Sequence, residues 1–536
     1  MSTDLRHLRV LLIDCQTTGS NPDRHHLLEV GWRMYRAVEE PPAPAEVESC
    51  LVRLPEGEEI PRAIVRLTGI RGDEMAGAMP RRELAARISS SAEWEGGTGE
   101  ALGTAIPAVA HYARFEQVFL APLWGERPPH PFYCTHEIAR RLFPDLPRRG
   151  LRALAGFFGD PLPEMKRSAV HVAATARVWS GLVERLRTEA GVRTAGDLDD
   201  FLRSRPLPRG DRFAYPLDRA KRLALPDLPG VYRFLGGNGG VLYVGKAASL
   251  KSRVNSYYRK RRAGERHLEM VTQARDVEVT VTASPLEAAL LEAEEIGRRR
   301  PPYNRAMKNE GVEVWFFSGP LDSARPGPDP GHATGPFPDR ATPLACGTLR
   351  RLLSEKPLIR DEAAAAADLG IRAIRIAPGA IRTGLRLFGE ETLTGPSPGT
   401  LLAAGTKLWR EKMGETVEEE PGREEEERSR ILEGEDVAAL LGGLVVRTAH
   451  LVRRARWFAL LGGAVVRWEP DLPGPAERRE LALSPDPVSN RGAYDRLRVL
   501  TTEIRRLVGK NRPVEVTLSS GVRLGPERLR RLLRMV

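Results

Sequence analysis

The stretch Leu228–Ala247, LPGVYRFLGGNGGVLYVGKA, decides how the middle of this 536-residue chain folds. GVYRF at 230–234 and VLYVGKA at 241–247 are strand-like runs, and the glycine-rich GGNGG at 236–240 lies between them. Two such runs joined by a short glycine-rich turn read as an antiparallel hairpin. Working outward, SLKSRVNSYYR at 249–259 reads as a helix, DVEVTVTA at 276–283 as a third strand and PLEAALLEAEEIGRRR at 285–300 as a second helix. The spacing predicts a small antiparallel sheet with flanking helices.

The charge of the chain gathers at this same place. The net charge is +11, and Arg205–Lys308 holds 21 Lys/Arg against 11 Asp/Glu, a net of +10. A basic excess confined to one segment points to a bound polyanion. A solvated charged face accounts for it equally well.

These residues resemble the GIY-YIG endonuclease family, and within it the N-terminal half of the bacterial excision-repair nuclease, the excinuclease. The first signature is met by Gly230-Val231-Tyr232 and the second by Tyr243-Val244-Gly245, followed by Lys246. LKSRV supplies Arg253, SPLEAALLEAEEI supplies Glu292 and PPYN supplies Asn304. Any one of these is a common residue in a common setting. A strand tyrosine packs a sheet, and Glu292 has Glu294 and Glu295 beside it. Their joint occurrence in order carries the resemblance.

The resemblance implies phosphodiester hydrolysis with one Mg²⁺, Mn²⁺ being an alternative ion. Glu292 is the expected metal ligand, because Mg²⁺ takes hard carboxylate oxygens. Arg253 offers a guanidinium fork to phosphate oxygens. Tyr243 is the expected general base, and Lys246 is expected to supply the cationic field that a phenol needs near neutral pH. Tyr232 is expected to orient water or phosphate, and Asn304 to tie the sheet to the site.

Further toward the N-terminus, LRVLLID at 8–14 reads as a buried strand ending on an acid, followed by strands near 26–38 and 48–54. A strand at 106–111 and helices near 81–90, 115–123, 135–143, 149–158 and 169–188 complete an α/β pattern. Residues 8–185 resemble the DEDD exonucleases of the type represented by the DNA polymerase III epsilon subunit. IDCQTTG, LLEVGW, IPRAIVRLTGI, VAHYARFEQVFL and AVHVAATARVW are the landmarks. That family holds two metal ions with four carboxylates and uses a histidine base. Here Asp14 keeps the first carboxylate and Glu116 replaces the second-motif Asp. Gln16 and His171 occupy the other acidic positions, and Lys166 falls where the catalytic histidine belongs. Tyr112 and Thr68 replace a frequent Asn and a frequent His. Two carboxylates do not balance two divalent ions, so the exonuclease site is expected to be silent. The competing reading is a rebuilt site of Asp14, Glu116 and His171 around one Mn²⁺ or Zn²⁺.

The expected fold class is therefore multidomain α/β. An RNase H-like exonuclease fold at 1–200 and a linker at 201–227 precede a small α+β GIY-YIG domain at 228–310. A Pro/Gly-rich connection at 311–345 leads to a mainly helical region at 346–536. Trp315-Phe316-Phe317 and Gly335-Pro336-Phe337 resemble a strand and turn found after the nuclease unit of the excision-repair relatives. LVRRARWFALLGGAVVRW at 451–468 and YDRLRVLTTEIRRLVGK at 494–510 read as amphipathic and Arg-lined. The acidic run at 417–428 reads as a solvated face, and AGTKLWREKMGE at 404–415 carries no chemistry that can be named.

Four cysteines, far apart and without a CxxC pair, speak against a zinc site or a disulfide framework and fit a reducing cytoplasm. The N-terminus reads as a strand rather than a signal peptide, and no run reaches the length of a membrane helix. The expected function is a Mg²⁺-dependent DNA endonuclease in repair, with DNA and possible repair proteins as partners and the exonuclease-like domain reduced to DNA binding. The rivals are an active 3′–5′ exonuclease plus endonuclease, and a non-cutting DNA-binding adaptor.

Overall fold

The structure is a computed structural model. It describes residues 3–93, 106–125, 131–304, 313–343 and 451–535, apart from positions 160, 163–164, 207, 209, 211, 260–263, 339, 341–342, 471–477 and 486–489. The segments 404–415 and 417–428, and Cys346, lie outside the described residues. The chain divides into two compact units, one of Met1–Val281 with Arg299–Arg305 and one of Thr282–Arg298 with Ala306–Val536.

The first unit opens on a five-stranded sheet of order β3-β2-β1-β4-β5. Strand β1 (Val10–Thr17) is central, antiparallel to β2 (Leu27–Tyr35) and parallel to β4 (Ala108–Ala110). Strand β3 (Glu48–Leu51) pairs outside β2, and β5 (Phe132–Cys134) runs parallel outside β4. Helices α1 (Arg62–Thr68) and α2 (Arg81–Glu93) lie between β3 and β4, and α3 (Ala113–Leu120) between β4 and β5. Helices α4 (Thr135–Leu142), α5 (Leu151–Phe158), α6 (Ser168–Glu189) and α7 (Ala195–Arg203) follow.

The run VLLIDC is apolar at every position but Asp14 because β1 is covered on both faces. Val10 and Leu12 pack with Val172, Ala176 and Trp179 of α6. Leu11 and Ile13 pack with Leu84, Ile88 and Phe119 of α2 and α3. Strand alternation then sends Asp14 and Gln16 to the α6 side, where His171 sits. The RNase H-like class expected from the sequence is the class observed.

After α8 (Arg219–Leu223), a three-stranded antiparallel sheet of order β7-β6-β8 forms from β6 (Gly230–Leu235), β7 (Val241–Ala247) and β8 (Asp276–Val281). The hairpin predicted from LPGVYRFLGGNGGVLYVGKA is present, with Gly236 donating to the Gly240 carbonyl across the turn at 2.8 Å. Helix α9 (Leu250–Ser256) is shorter than the 249–259 predicted, and the Ser249 side chain caps it. Helix α10 (Glu265–Gln273) was not predicted.

The second unit contains α11 (Pro285–Arg299, all but its last residue) and a three-stranded sheet of β9 (Trp315–Phe317), β10 (Ala324–Pro326) and β11 (Thr334–Phe337). A helix at 451–460 leads into a four-stranded antiparallel sheet. Its strands are β12 (Val465–Trp468), β13 (Arg479–Ala482), β14 (Val514–Thr517) and β15 (Arg523–Leu524), in the order β13-β12-β14-β15. Helices α12 (Arg491–Gly509) and α13 (Pro526–Met535) complete it. Trp457, Phe458, Val466, Tyr494, Leu500 and Val516 are among its core residues.

Of the region expected to be mainly helical, residues 451–535 are the described part, and they combine three helices with a four-stranded sheet. The stretch 451–468 is not one amphipathic helix. Gly462-Gly463 ends the helix, with Gly463 at φ +68°, and AVVRW then alternates as a strand. Val466 and Trp468 are buried, while Arg467 on the other face meets Glu480 at 2.8 Å. Among the described residues no helix is long and apolar enough to cross a membrane. Cys15, Cys50 and Cys134 are free.

Candidate active sites

Strand register brings the signature tyrosines onto one face. Tyr232 pairs with Gly245 and Phe234 with Tyr243, so the rings of Tyr232 and Tyr243 lie on the same side, with centroids 6.1 Å apart. Gly245 has to be glycine for this. A Cβ there would lie 2.4 Å from the Tyr232 hydroxyl and 2.8 Å from the Tyr243 ring. Tyr232 is completely buried, and its hydroxyl is 2.7 Å from that of Tyr257. Burial, then the neighbouring Tyr257 and Tyr243, push its pKa well above the ordinary tyrosine value. Tyr232 was expected to orient water or phosphate; its side chain is completely buried in this structure. Tyr243 is half-exposed, so water can reach its side chain.

Arg253 on α9 is exposed, with its guanidinium 5.2 Å above the Tyr257 ring. Burial of part of the side chain lowers its pKa, and the phenols of Tyr232, Tyr257 and Tyr243 raise it, with a net rise. Arg253 is a cation that interacts with Tyr243. The expected field of Lys246 on Tyr243 is corrected by strand geometry. Lys246 pairs with Val231, three residues along β7 from Tyr243, and a period of two sends it to the other face of the sheet.

Asn304 clamps β7: its side-chain oxygen accepts from Val244 N at 3.0 Å, and its amide donates to the Val244 carbonyl at 2.9 Å. Glu292 lies on α11, at the border of the buried stripe formed by Leu286, Ala289, Ala293 and Ile296. Glu295 is buried, Glu294 exposed and Glu292 half-buried. A single half-buried carboxylate suits Mg²⁺, which keeps several waters and shares its remaining positions with substrate phosphate.

Sequence reasoning missed Tyr257 and His267. Tyr257 joins the cluster through Tyr232 and Arg253, and the His267 ring stacks on it at 5.0 Å and 7°. The spacing offered a signal: Tyr257 follows Arg253 by four residues, which places both on one helical face.

The exonuclease-like cleft is a cavity of about 1090 Å³ lined by Asp14, Gln16, Glu116 and His171, with the exposed Leu67 and Tyr112 also on its wall. Tyr112 stands at the start of α3 with φ +62°, its ring tilted by 33° against that of His136 with centroids 4.6 Å apart. Thr68 is buried and donates to the Ile64 carbonyl at 2.9 Å, and Lys166 is exposed.

The residues at the metal positions bind one another. His171 Nδ1 is 3.1 Å from Asp14 Oδ1, and its Nε2 is 3.2 Å from the Met165 carbonyl. Gln16 donates to Asp14 Oδ2 at 3.1 Å. Both carboxylate oxygens are therefore engaged, and both imidazole nitrogens face acceptors. Glu116 is buried, accepts from Cys15 N at 2.8 Å, and is pushed toward its neutral form by burial and by Asp14. This donor set does not fit two divalent ions. Nor, among the described residues, do any three His, Cys, Asp or Glu side chains form a group able to hold one.

Burial lowers the His171 pKa, but the Asp14 carboxylate and its hydrogen bond outweigh burial and raise it from the ordinary 6.5 to about 9. The raised value fixes the sign of a pH effect. The stabilisation from protonated His171, on the order of 3 kcal/mol, should be complete below pH 6.5 and lost as pH rises through about 9. Thermal unfolding of the wild type minus that of His171→Gln should show this difference shrinking between about pH 6.5 and about 9.5. A pH-independent difference would show that the ion pair is not formed.

Residues 228–305 match the family model of the UvrC-like GIY-YIG domain. A UvrABC system protein C from Psychrobacter sp. is 47% identical over 93 residues, 17% of this chain and 15% of that protein. A protein of Mycobacterium tuberculosis named as a bifunctional exonuclease/endonuclease is 32% identical over 300 residues, 53% of this chain and 42% of that one. The chain thus spans less than half the length of either curated relative. Among solved structures, the magnesium-bound GIY-YIG N-terminal endonuclease domain of UvrC from Thermotoga maritima is 37% identical. It covers 16% of this chain and 94% of its own, with a TM-score of 0.15. Exonuclease X in complex with 5′-overhanging duplex DNA is 19% identical over 36% of this chain and 99% of its own, with a TM-score of 0.25.

Proposed function

We propose that this chain, which joins an exonuclease-like fold to a UvrC-like GIY-YIG domain, is a divalent-metal-dependent DNA endonuclease. It incises DNA during repair, and its exonuclease-like cleft binds nucleic acid without hydrolysing it. The observation that carries this reading is the shared face of Tyr243, Tyr232 and Tyr257, with the exposed Arg253 guanidinium above it.

In this reading Tyr243 acts as its phenolate, favoured by the positive field of Arg253, and takes the proton of the attacking water, while the leaving sugar oxygen takes a proton from solvent. Arg253 also stabilises the charge that develops on the phosphate oxygens. Tyr232 and Tyr257 hold the face rigid through their hydroxyl pair. Glu292 would hold a Mg²⁺ ion, or Mn²⁺ in its place, and such an ion would supply Lewis-acid charge to the reaction when bound. The reading places the protein in the cytoplasm with DNA and other repair proteins as its partners.

The test is incubation of the full chain with end-labelled damaged duplex and Mg²⁺. Discrete internal cuts are expected. A ladder from the 3′ end would favour the exonuclease reading, and intact DNA would leave only an adaptor.

The basic segment makes a second measurable prediction. Lys251 and Arg259 are exposed and flank Arg253 in sequence. Each phosphate contact contributes about one unit to the slope of log K against log salt. Lys251→Ala with Arg259→Ala should weaken duplex binding across unrelated sequences and flatten that slope by about two. An unchanged slope would place the DNA elsewhere.

A further inference from the structure

Helix α5 of the exonuclease-like fold packs on α10 of the GIY-YIG fold inside the first compact unit. The approach is close. A Cβ on Gly156 would lie 1.8 Å from Oε1 of Gln273 and 2.3 Å from its Cδ, and Gln273 is completely buried. Arg275 donates to the Phe157 carbonyl at 3.0 Å, and Arg148 N donates to Thr272 at 3.1 Å.

This seam reaches the candidate catalytic strand through one residue. The Arg152 guanidinium lies 4.9 Å over the Tyr303 ring, and its Nε is 3.4 Å from Glu269. The Gln273 amide donates to the Tyr303 hydroxyl. Tyr303 is 5% exposed, and its backbone N–H donates to the Leu242 carbonyl at 3.0 Å. The next residue, Asn304, holds Val244 on both its N–H and its carbonyl. Tyr243 therefore sits between two backbone positions that Tyr303 and Asn304 fix.

We infer that Arg152 and Gln273 are positioning residues for Tyr243, so that the exonuclease-like fold is a working part of the endonuclease site. The inference rests on the reading that this site cuts DNA. Its physical basis is that a cation over an aromatic face in a largely buried seam, with a buried amide on the hydroxyl, holds the ring in one place. A general base displaced by about 1 Å loses about a hundredfold in rate while substrate binding is retained.

The test uses the full chain. Arg152→Ala removes the cation and Arg152→Lys keeps it. Gly156→Ala favours the α5 helix but forces Gln273 off its seat, so a loss there cannot come from a weakened helix. Two readouts are taken: kcat and KM for cleavage, and hydrogen exchange of the Val244 and Tyr303 amides. Arg152→Ala and Gly156→Ala should lower kcat about tenfold or more at constant KM, and should speed exchange at both amides about tenfold. Arg152→Lys should restore most of both. Unchanged kcat and exchange in folded Arg152→Ala protein would overturn the inference, as would a change in KM alone. If the wild type does not cut, the proposed endonuclease falls and the inference falls with it, whereas a cutting wild type with unchanged Arg152→Ala protein overturns the inference alone.

Discussion

Glu292→Gln protein should bind duplex DNA as the wild type does and cut it about 10³-fold more slowly. The substitution keeps the shape of the side chain and removes the negative charge that the proposed role of Glu292 as a ligand of a hard divalent ion requires. Glutamine adds an amide dipole but no charge, so excess Mg²⁺ should not restore the rate. Arg253→Ala should lose about 10²- to 10³-fold, the usual loss when one oxyanion-stabilising donor is removed. Its guanidinium faces the tyrosine cluster and also solvent, so its loss affects both the phosphate charge and the field on Tyr243. Tyr243→Phe should match Glu292→Gln, and Tyr257→Phe should cost less because Tyr257 acts through Tyr232. Single-turnover rates on a duplex that the wild type cuts, with affinity measured separately, check all four. Equal cleavage by Glu292→Gln, Arg253→Ala and the wild type would show that another site cuts.

Much of this was readable in order along the chain, and the parts that were not share a cause. VLLIDC announces a strand covered on both faces, because its apolar residues show no alternation with polar ones. The hairpin at 230–247 declares its turn with glycines, and the spacing of Tyr232 and Tyr243 declares that both lie on one face. Lys246 was misplaced by reading nearness in sequence as nearness in space. Counting the strand period puts it on the far face. Helix α10 lacks the long apolar stripe that would announce it, and Met270, Val271, Thr272 and Gln273 are buried by tertiary packing. The seam between Arg152, Gln273 and Tyr303 joins residues more than 100 positions apart, which no local pattern encodes. At 451–468 the signal was present and opposed: Gly462-Gly463 and the AVVRW alternation contradict a continuous helix.

The exonuclease-like cleft should release no 3′ nucleotides with either Mg²⁺ or Mn²⁺. The full chain carrying Glu292→Gln is the material for this measurement, because it isolates the cleft from the other site. Two independent features predict silence. The first is charge: Asp14 and Glu116 are the remaining carboxylates, and Glu116 is driven toward its neutral form in a buried setting. The second is geometry: His171 and Gln16 occupy both oxygens of Asp14, so a metal would have to displace an ion pair before binding. Charging the site with divalent ions means breaking a partly buried pair, and that leaves His171 charged beside the incoming cation. Asp14→Ala should therefore change nothing in 3′ release. It should instead lower stability, since His171 is left without its partner. Restoring Gln16→Glu, Glu116→Asp, Lys166→His and His171→Asp together should recover metal-dependent 3′ release. The gain should be far more than the sum of the single changes, because ligands of one metal pair act as a unit. His171→Asp alone should not suffice: it places a second carboxylate beside Asp14 while Gln16 and Lys166 remain. Processive 3′ loss from single-stranded DNA by the Glu292→Gln protein, abolished by Asp14→Ala, would overturn the claim of a silent cleft.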